Sequence, residues 1–165
     1  MVLKFKSLLT AILALSLMLS AGCGFRFQGS HQIPDNLKQL SLGTQDKYSE
    51  LTRLVGEQLR LYSVKVVERD PERVAHLQLV HDELSRATLS LFPDGKVAEY
   101  ELIYLVDYTI KLPNREAQSY QVEIRRDYLD DPRTALGKSR EMEMLLKEMR
   151  IKATSRIIQS LASSQ

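Results

Sequence analysis

The stretch ATLSLFPDGKVAEYELIYLVDYTIKL, residues 87–112, decides the fold. Asp94-Gly95 lies between two alternating apolar runs, and these residue types accept the positive φ of a tight turn, so the stretch predicts a β-hairpin. In the second arm every even position from Ala98 to Leu112 is apolar: Ala98, Tyr100, Leu102, Tyr104, Val106, Tyr108, Ile110 and Leu112. A period of two over that length predicts one strand with one buried face. Its odd face is polar at both ends, with Glu99, Glu101, Asp107, Thr109 and Lys111, but apolar in the middle at Ile103 and Leu105. That pair predicts a face covered by a partner. At about 3.3 Å per residue the arm is roughly three times a typical strand length, so a bend or bulge is expected.

Outward from the hairpin, Tyr120, Val122, Ile124 and Tyr128 repeat the even pattern and predict a returning antiparallel strand after the turn at Pro113-Asn114-Arg115. Asp131-Pro132 then marks a helix start, with the acid as cap and proline where its missing N–H costs nothing. Met142, Leu146, Met149, Ala153, Ile157 and Leu161 form one apolar stripe along that helix. On the other side of the hairpin, a strand is predicted over Val74–Leu84 and another around Val64, Val66 and Val67. Before them lies an amphipathic helix through Tyr48, Leu51, Leu54, Val55, Leu59 and Tyr62, with Thr44 or Asp46 as its cap, and a first strand through Leu37, Leu40 and Leu42. The order reads β-α-β-β-β-β-β-α. The fold class is therefore an α/β (α+β) two-layer sandwich, a mostly antiparallel or mixed sheet with two helices packed on one face.

The first residues belong to a different layer of organisation. Lys4 and Lys6 precede an apolar run from Leu8 to Leu19 that ends at Ser20-Ala21-Gly22-Cys23, a secretory signal closing on a stretch that resembles the lipobox of bacterial lipoproteins. Cys23 is then the lipid attachment point, and as the only cysteine it leaves no intrachain disulfide. The resemblance implies a signal peptide over 1–22 that is removed, a lipid-anchored tether over 23–36, one domain over 37–162 and a polar tail over 163–165. Gly24 after the cysteine, rather than an acid, points by the same resemblance to the outer membrane.

Charge is uneven. Residues 132–156 carry seven Lys or Arg against three Glu, a net of +4, while residues 23–131 carry −4. A basic C-terminal part in an otherwise acidic chain suggests either an anionic ligand there or an ordinary solvated helix face, and composition alone favours the solvated face. Enzyme chemistry has little to stand on. There are three histidines, His31, His76 and His81, and the last two, five apart on one strand, are expected on opposite faces, which disfavours a metal pair. There is no HExxH, CxxC or phosphate-binding glycine loop. No cofactor, metal or nucleic acid is expected.

Several segments in register resemble the LptE family of lipopolysaccharide-assembly lipoproteins, also called rare lipoprotein B. They are Ala21-Gly22-Cys23-Gly24-Phe25, Gln58-Leu59-Arg60-Leu61, the run from Asp94 to Tyr100, Asp131-Pro132-Arg133-Thr134-Ala135-Leu136-Gly137-Lys138, and Lys147-Glu148-Met149. The resemblance implies a non-enzymatic partner of the outer-membrane barrel LptD, seated as a plug in its lumen and assisting delivery of lipopolysaccharide to the cell surface. In that family basic residues at the hairpin turn and early in the last helix are linked to lipopolysaccharide binding. The matching positions are Pro93, where the basic residue is missing, and Lys138. Lys96 and Arg86 are the nearest cations to the turn, and Arg133 is a second candidate donor, since a guanidinium grips phosphate with two hydrogen bonds. A pilotin-like lipoprotein carrying another outer-membrane complex is the alternative, and co-purification from outer membranes separates the two.

Overall fold

The computed structural model describes residues 33–129 and 135–164. The expected helix start at Asp131-Pro132, the candidate donor Arg133 and the expected lipid attachment point Cys23 lie outside the described residues. A 3-10 turn over Asp35–Leu37 leads into β1, Gln39–Thr44; α1 is Glu50–Leu61, β2 Lys65–Val66, β3 Ala75–Leu91, β4 Val97–Lys111, β5 Gln118–Leu129 and α2 Ala135–Ser163. The sheet order is β2-β1-β3-β4-β5, with β1 parallel to β2 and β3, and β3, β4 and β5 antiparallel. The sheet is mixed and five-stranded. Six strands were expected because Val74–Leu84 and the first hairpin arm read as separate runs; they are one continuous strand of 17 residues.

Continuity is possible because β3 absorbs irregularity locally. Its register with β4 shifts between Leu79 and His81 and again between Thr88 and Ser90. An extra residue bulges at each place, at Val80 and Leu89, so the strand twists without ending. The irregularity expected in the second arm appears at Ala98, which the shift between Ser90 and Leu91 leaves without a partner, while β4 stays paired with β5 through twelve successive residues without a shift. The turn forms as predicted: Gly95 has φ +83°, and its N–H donates to the carbonyl of Phe92.

Below the sheet lies the core. Leu102, Tyr104, Val106, Tyr108 and Ile110 of β4 are all at or under 2% exposure, and so are Leu51, Val55 and Leu59 of α1 and Met149, Ala153, Ile157 and Leu161 of α2. Those are the helix stripes and the strand face that the sequence pattern marks as apolar. Fully burying each large aliphatic side chain contributes about 1.5–3 kcal/mol. The cap of α1 is Ser49, not Thr44 or Asp46: its Oγ accepts from the N–H of Thr52 at 3.1 Å. Asp46 instead accepts from the N–H of Tyr48 through Oδ1, which holds the loop ahead of the helix. Tyr48, expected on the apolar face, is exposed in that loop.

Candidate functional site

Two surfaces are left over once the core is closed. The first is the open face of the sheet, opposite the helices. Directly paired residues of a sheet share a face, so the register places Ser85, Ile103 and Arg125 in one row and Glu83, Leu105 and Glu123 in the next. Ile103 and Leu105 are half-buried there, with no element over them among the described residues. A glutamate stands on each side of Leu105. The Arg125 guanidinium reaches Glu101 at 2.7 Å and Glu123 at 2.5 Å, and the two carboxylates hold its pKa above the ordinary arginine value. The apolar pair is thus a small patch set among ion pairs rather than a broad hydrophobic face.

His76 and His81 also lie on this face, against expectation. The bulge at Val80 restores the parity that five residues would otherwise break, and the two pair with Lys111 and Asp107 respectively. Four residues of β4 separate those positions, about 13 Å. His76 is buried, with Nδ1 2.8 Å from Ser41 Oγ and Nε2 3.2 Å from Gln78 Oε1. Among the described residues no three His, Cys, Asp or Glu side chains are grouped to hold a metal.

The second surface is the helix side of the hairpin where it outruns the core. From Leu84 to Leu91 nearly every residue of β3 is exposed, and Leu89, Leu91 and Phe92 present apolar side chains at the far end. Tyr100 of β4 pairs directly with Tyr128 of β5. Over the Tyr100 ring stands the Arg86 guanidinium, 4.8 Å from its centroid, and over the Tyr128 ring stands Lys138 Nζ at 5.9 Å. Each tyrosine face carries a negative quadrupole, so it holds a cation in place. Adjacent rings therefore fix two positive charges side by side, one from a strand and one from the first turns of α2. Lys138 was expected here; Arg86 was named only as a cation near the turn. Its partner ring was legible as part of the apolar period of β4, but not as a seat for a charge, because that depends on the register with β3.

Lys96 lies at the start of the second arm, four residues from Tyr100 and about 13 Å along the strand. Its Nζ is 2.8 Å from Asp94 Oδ2, and that contact holds the Asp94 carboxyl below the usual carboxylate range. The structure thus brings Lys138 together with Arg86 and leaves Lys96 beyond them, at the turn. Nearer the middle of the molecule the same side of the sheet carries a polar network. Tyr104 Oη donates to Asp82 Oδ2 at 2.6 Å, the Arg150 guanidinium lies 5.9 Å from the Tyr104 centroid, and Arg150 bonds Glu50 at 2.5 Å. It links both helices to β3 and β4 where the core ends.

Comparison with known proteins agrees with this architecture. The family model described as LptE, lipopolysaccharide-assembly, matches residues 37–161. The chain is 35% identical to the LPS-assembly lipoprotein LptE of Pectobacterium atrosepticum over 155 residues, covering 93% of this chain and 84% of that protein. It is 36% identical to that of Yersinia enterocolitica over 156 residues, covering 93% and 75%. Among solved structures, the crystal structure of rare lipoprotein B from Shewanella oneidensis superposes with a TM-score of 0.73 at 62% identity, covering 76% of this chain and 95% of that one. A solution structure of lipoprotein B from Nitrosomonas europaea, at 22% identity and a TM-score of 0.65, shares the fold. With its helix stripes, its long hairpin and most of its length matched in one register, the chain belongs to the LptE family of lipopolysaccharide assembly.

Proposed function

We propose that this chain is an outer-membrane lipoprotein, anchored through a lipid on Cys23, that partners and plugs the LptD β-barrel, binds lipopolysaccharide and assists its assembly at the cell surface. As a member of an assembly family it is not an enzyme. Residues 1–22 are then removed on export, 23–36 form the tether, 37–162 the working domain and 163–165 a polar tail. Ile33, ahead of the first turn, packs into the core and so ties the end of the tether down. Among the described residues no helix is long and apolar enough to cross a membrane.

The observation that carries the ligand reading is the pair of cations over adjacent tyrosines beside an apolar strand end. Lipopolysaccharide is an anionic amphiphile: lipid A phosphates attached to acyl chains. Arg86 and Lys138 offer the phosphates two fixed donors, with Lys96 and Arg133 as further basic side chains, and Leu89, Leu91 and Phe92 offer the acyl chains a surface. A guanidinium binds phosphate with two hydrogen bonds and an ammonium binds it as a point charge. The test is a titration of the mature chain with lipopolysaccharide at two salt concentrations, repeated with Arg86→Glu and Lys138→Asp together. Binding should fall about tenfold or more at low salt, and the remaining binding should depend less on salt. Binding that is equally tight in the double variant at both salts would remove this site from the reading.

A further inference from the structure

Among the described residues, the last strand of the sheet, β5, is paired on one side only. Its twelve residues hold neither proline nor glycine, and its register with β4 has no bulge, so nothing bends the free edge away from an incoming chain. The opposite edge, β2, is two residues long. Natural sheets usually blunt an edge by shortness, bulges or proline, and here only one edge is treated in that way.

The direction of the free backbone groups can be read from one contact. Arg156 Nη1 donates to the carbonyl of Glu123 at 2.8 Å, a contact that fits Glu123 with its polar groups turned away from β4. Those directions alternate along an antiparallel ladder, so Gln121, Arg125, Asp127 and Leu129 also face outward. Arg156 serves the carbonyl of Glu123. Toward the hairpin end, Arg125, Asp127 and Leu129 each present one donor and one acceptor at a spacing of two residues. Only another extended backbone offers acceptors and donors at that spacing.

We infer that the edge of β5 over Arg125–Leu129 receives an extended segment of the partner protein as a sixth strand. This rests on the reading above, that the chain works seated against a partner. On the open-face side the segment lies beside Arg125 and Asp127, where side chains of opposite charge complement them, and on the helix side beside Arg126 and Tyr128. A second copy of this chain fits the edge less well. A two-fold pairing of β5 centred on Ile124 needs the Glu123 carbonyl of both copies, which Arg156 already occupies, and one centred on Arg126 or Asp127 sets like charges directly opposite each other, which is destabilising. A partner segment sits clear of the Arg156 contact.

The experiment follows amide hydrogen exchange residue by residue in the mature chain alone, at two concentrations, and in the detergent-extracted complex with its partner. The amides of Arg126 and Tyr128, which bond β4, should be slow throughout. Those of Arg125, Asp127 and Leu129 should exchange fast in the free chain and slow by about tenfold or more in the complex. A proline is tolerated on an edge where no ladder bond is lost, so Asp127→Pro should lower recovery of the complex while the free variant keeps its melting temperature. An intact complex whose three edge amides exchange as in the free chain overturns this inference and leaves the reading above standing. Recovery of no protein partner at all overturns both. Edge protection that grows with concentration in the chain alone assigns the edge to a second copy and overturns the inference.

Discussion

Tyr104 is the residue that joins the core to the hairpin. Its ring is fully buried in the apolar face of β4, yet its hydroxyl donates to the Asp82 carboxylate at 2.6 Å. Burial disfavours the phenolate first, and the carboxylate beside it disfavours it further, so the Tyr104 pKa is raised well above its ordinary value of 10.0. Tyr108 is raised in the same direction, again by burial. The sign follows from linkage. A pKa raised in the folded state gives stability that is fully present while both states keep the proton, below about pH 10, and that is lost as pH rises toward the raised value. Alkaline unfolding should therefore set in above about pH 10, with two of the seven tyrosines resisting ionisation in an absorbance titration of the folded chain. Tyr104→Phe leaves Asp82 without its donor and should cost about 1.5–3 kcal/mol at neutral pH, the worth of a hydrogen bond to a charged group. An unchanged melting temperature would show that water replaces the phenol at no cost. For Lys138 two opposed effects nearly cancel. Reversal to Asp gains about 0.3–1 kcal/mol from the helix dipole and loses about 0.5–1 kcal/mol of cation–π attraction to Tyr128, so the melting temperature of the variant is measured beside its ligand binding.

At the level of elements, Ser49 carries the start of α1. Ser49→Ala removes the acceptor for the Thr52 N–H and should lower stability by about 1 kcal/mol, read as a shift in the denaturant midpoint with no change in slope. Thr44→Ala should cost less, because its hydroxyl reaches the cap only through Thr52 Oγ1 at 3.0 Å. The sequence pointed to Thr44 or Asp46 because the apolar period seemed to begin at Tyr48; the tyrosine follows the capping loop outward, and the period begins at Leu51. The same limit explains the strands. The even period of β4 was legible because every second residue is buried to 9% or less except Tyr100, at the end where the hairpin runs past the core. β3 was not, because half its length has no core to face and its bulges at Val80 and Leu89 shift the parity. Bulges obey pairing, not local propensity, and one sequence does not display its partner strand. Hence the two histidines were expected on opposite faces and share one. The candidate ligand site was half legible for the same reason: Lys138 came from the resemblance to the family, but Arg86 over Tyr100 depends on which residue of β3 meets which of β4.

Across the whole molecule, the two sides of the sheet differ in kind. One is filled by helices, of which α2 carries six Lys or Arg against three Glu. The other is bare, with Leu105 between Glu83 and Glu123. A patch of two half-buried aliphatics is too small to aggregate the chain, but it is the kind of surface a docked partner closes. Leu105 and its neighbour three residues back along β4 separate docking from folding. In Leu105→Asp the new carboxylate stays at the surface, opposed by two glutamates, and like charges directly opposite cost up to about 1 kcal/mol. In Leu102→Asp the carboxylate enters a site with 1% exposure and no partner, which costs about 4 kcal/mol or more. Melting curves of the two isolated variants should therefore differ widely, while recovery of the proposed partner complex should fall for Leu105→Asp even though its isolated chain is folded. If both variants melt equally early, Leu105 belongs to the core. If Leu105→Asp folds and the complex is recovered in full, the open face is not where the partner sits, and the docking surface must lie on the hairpin and the free edge of β5.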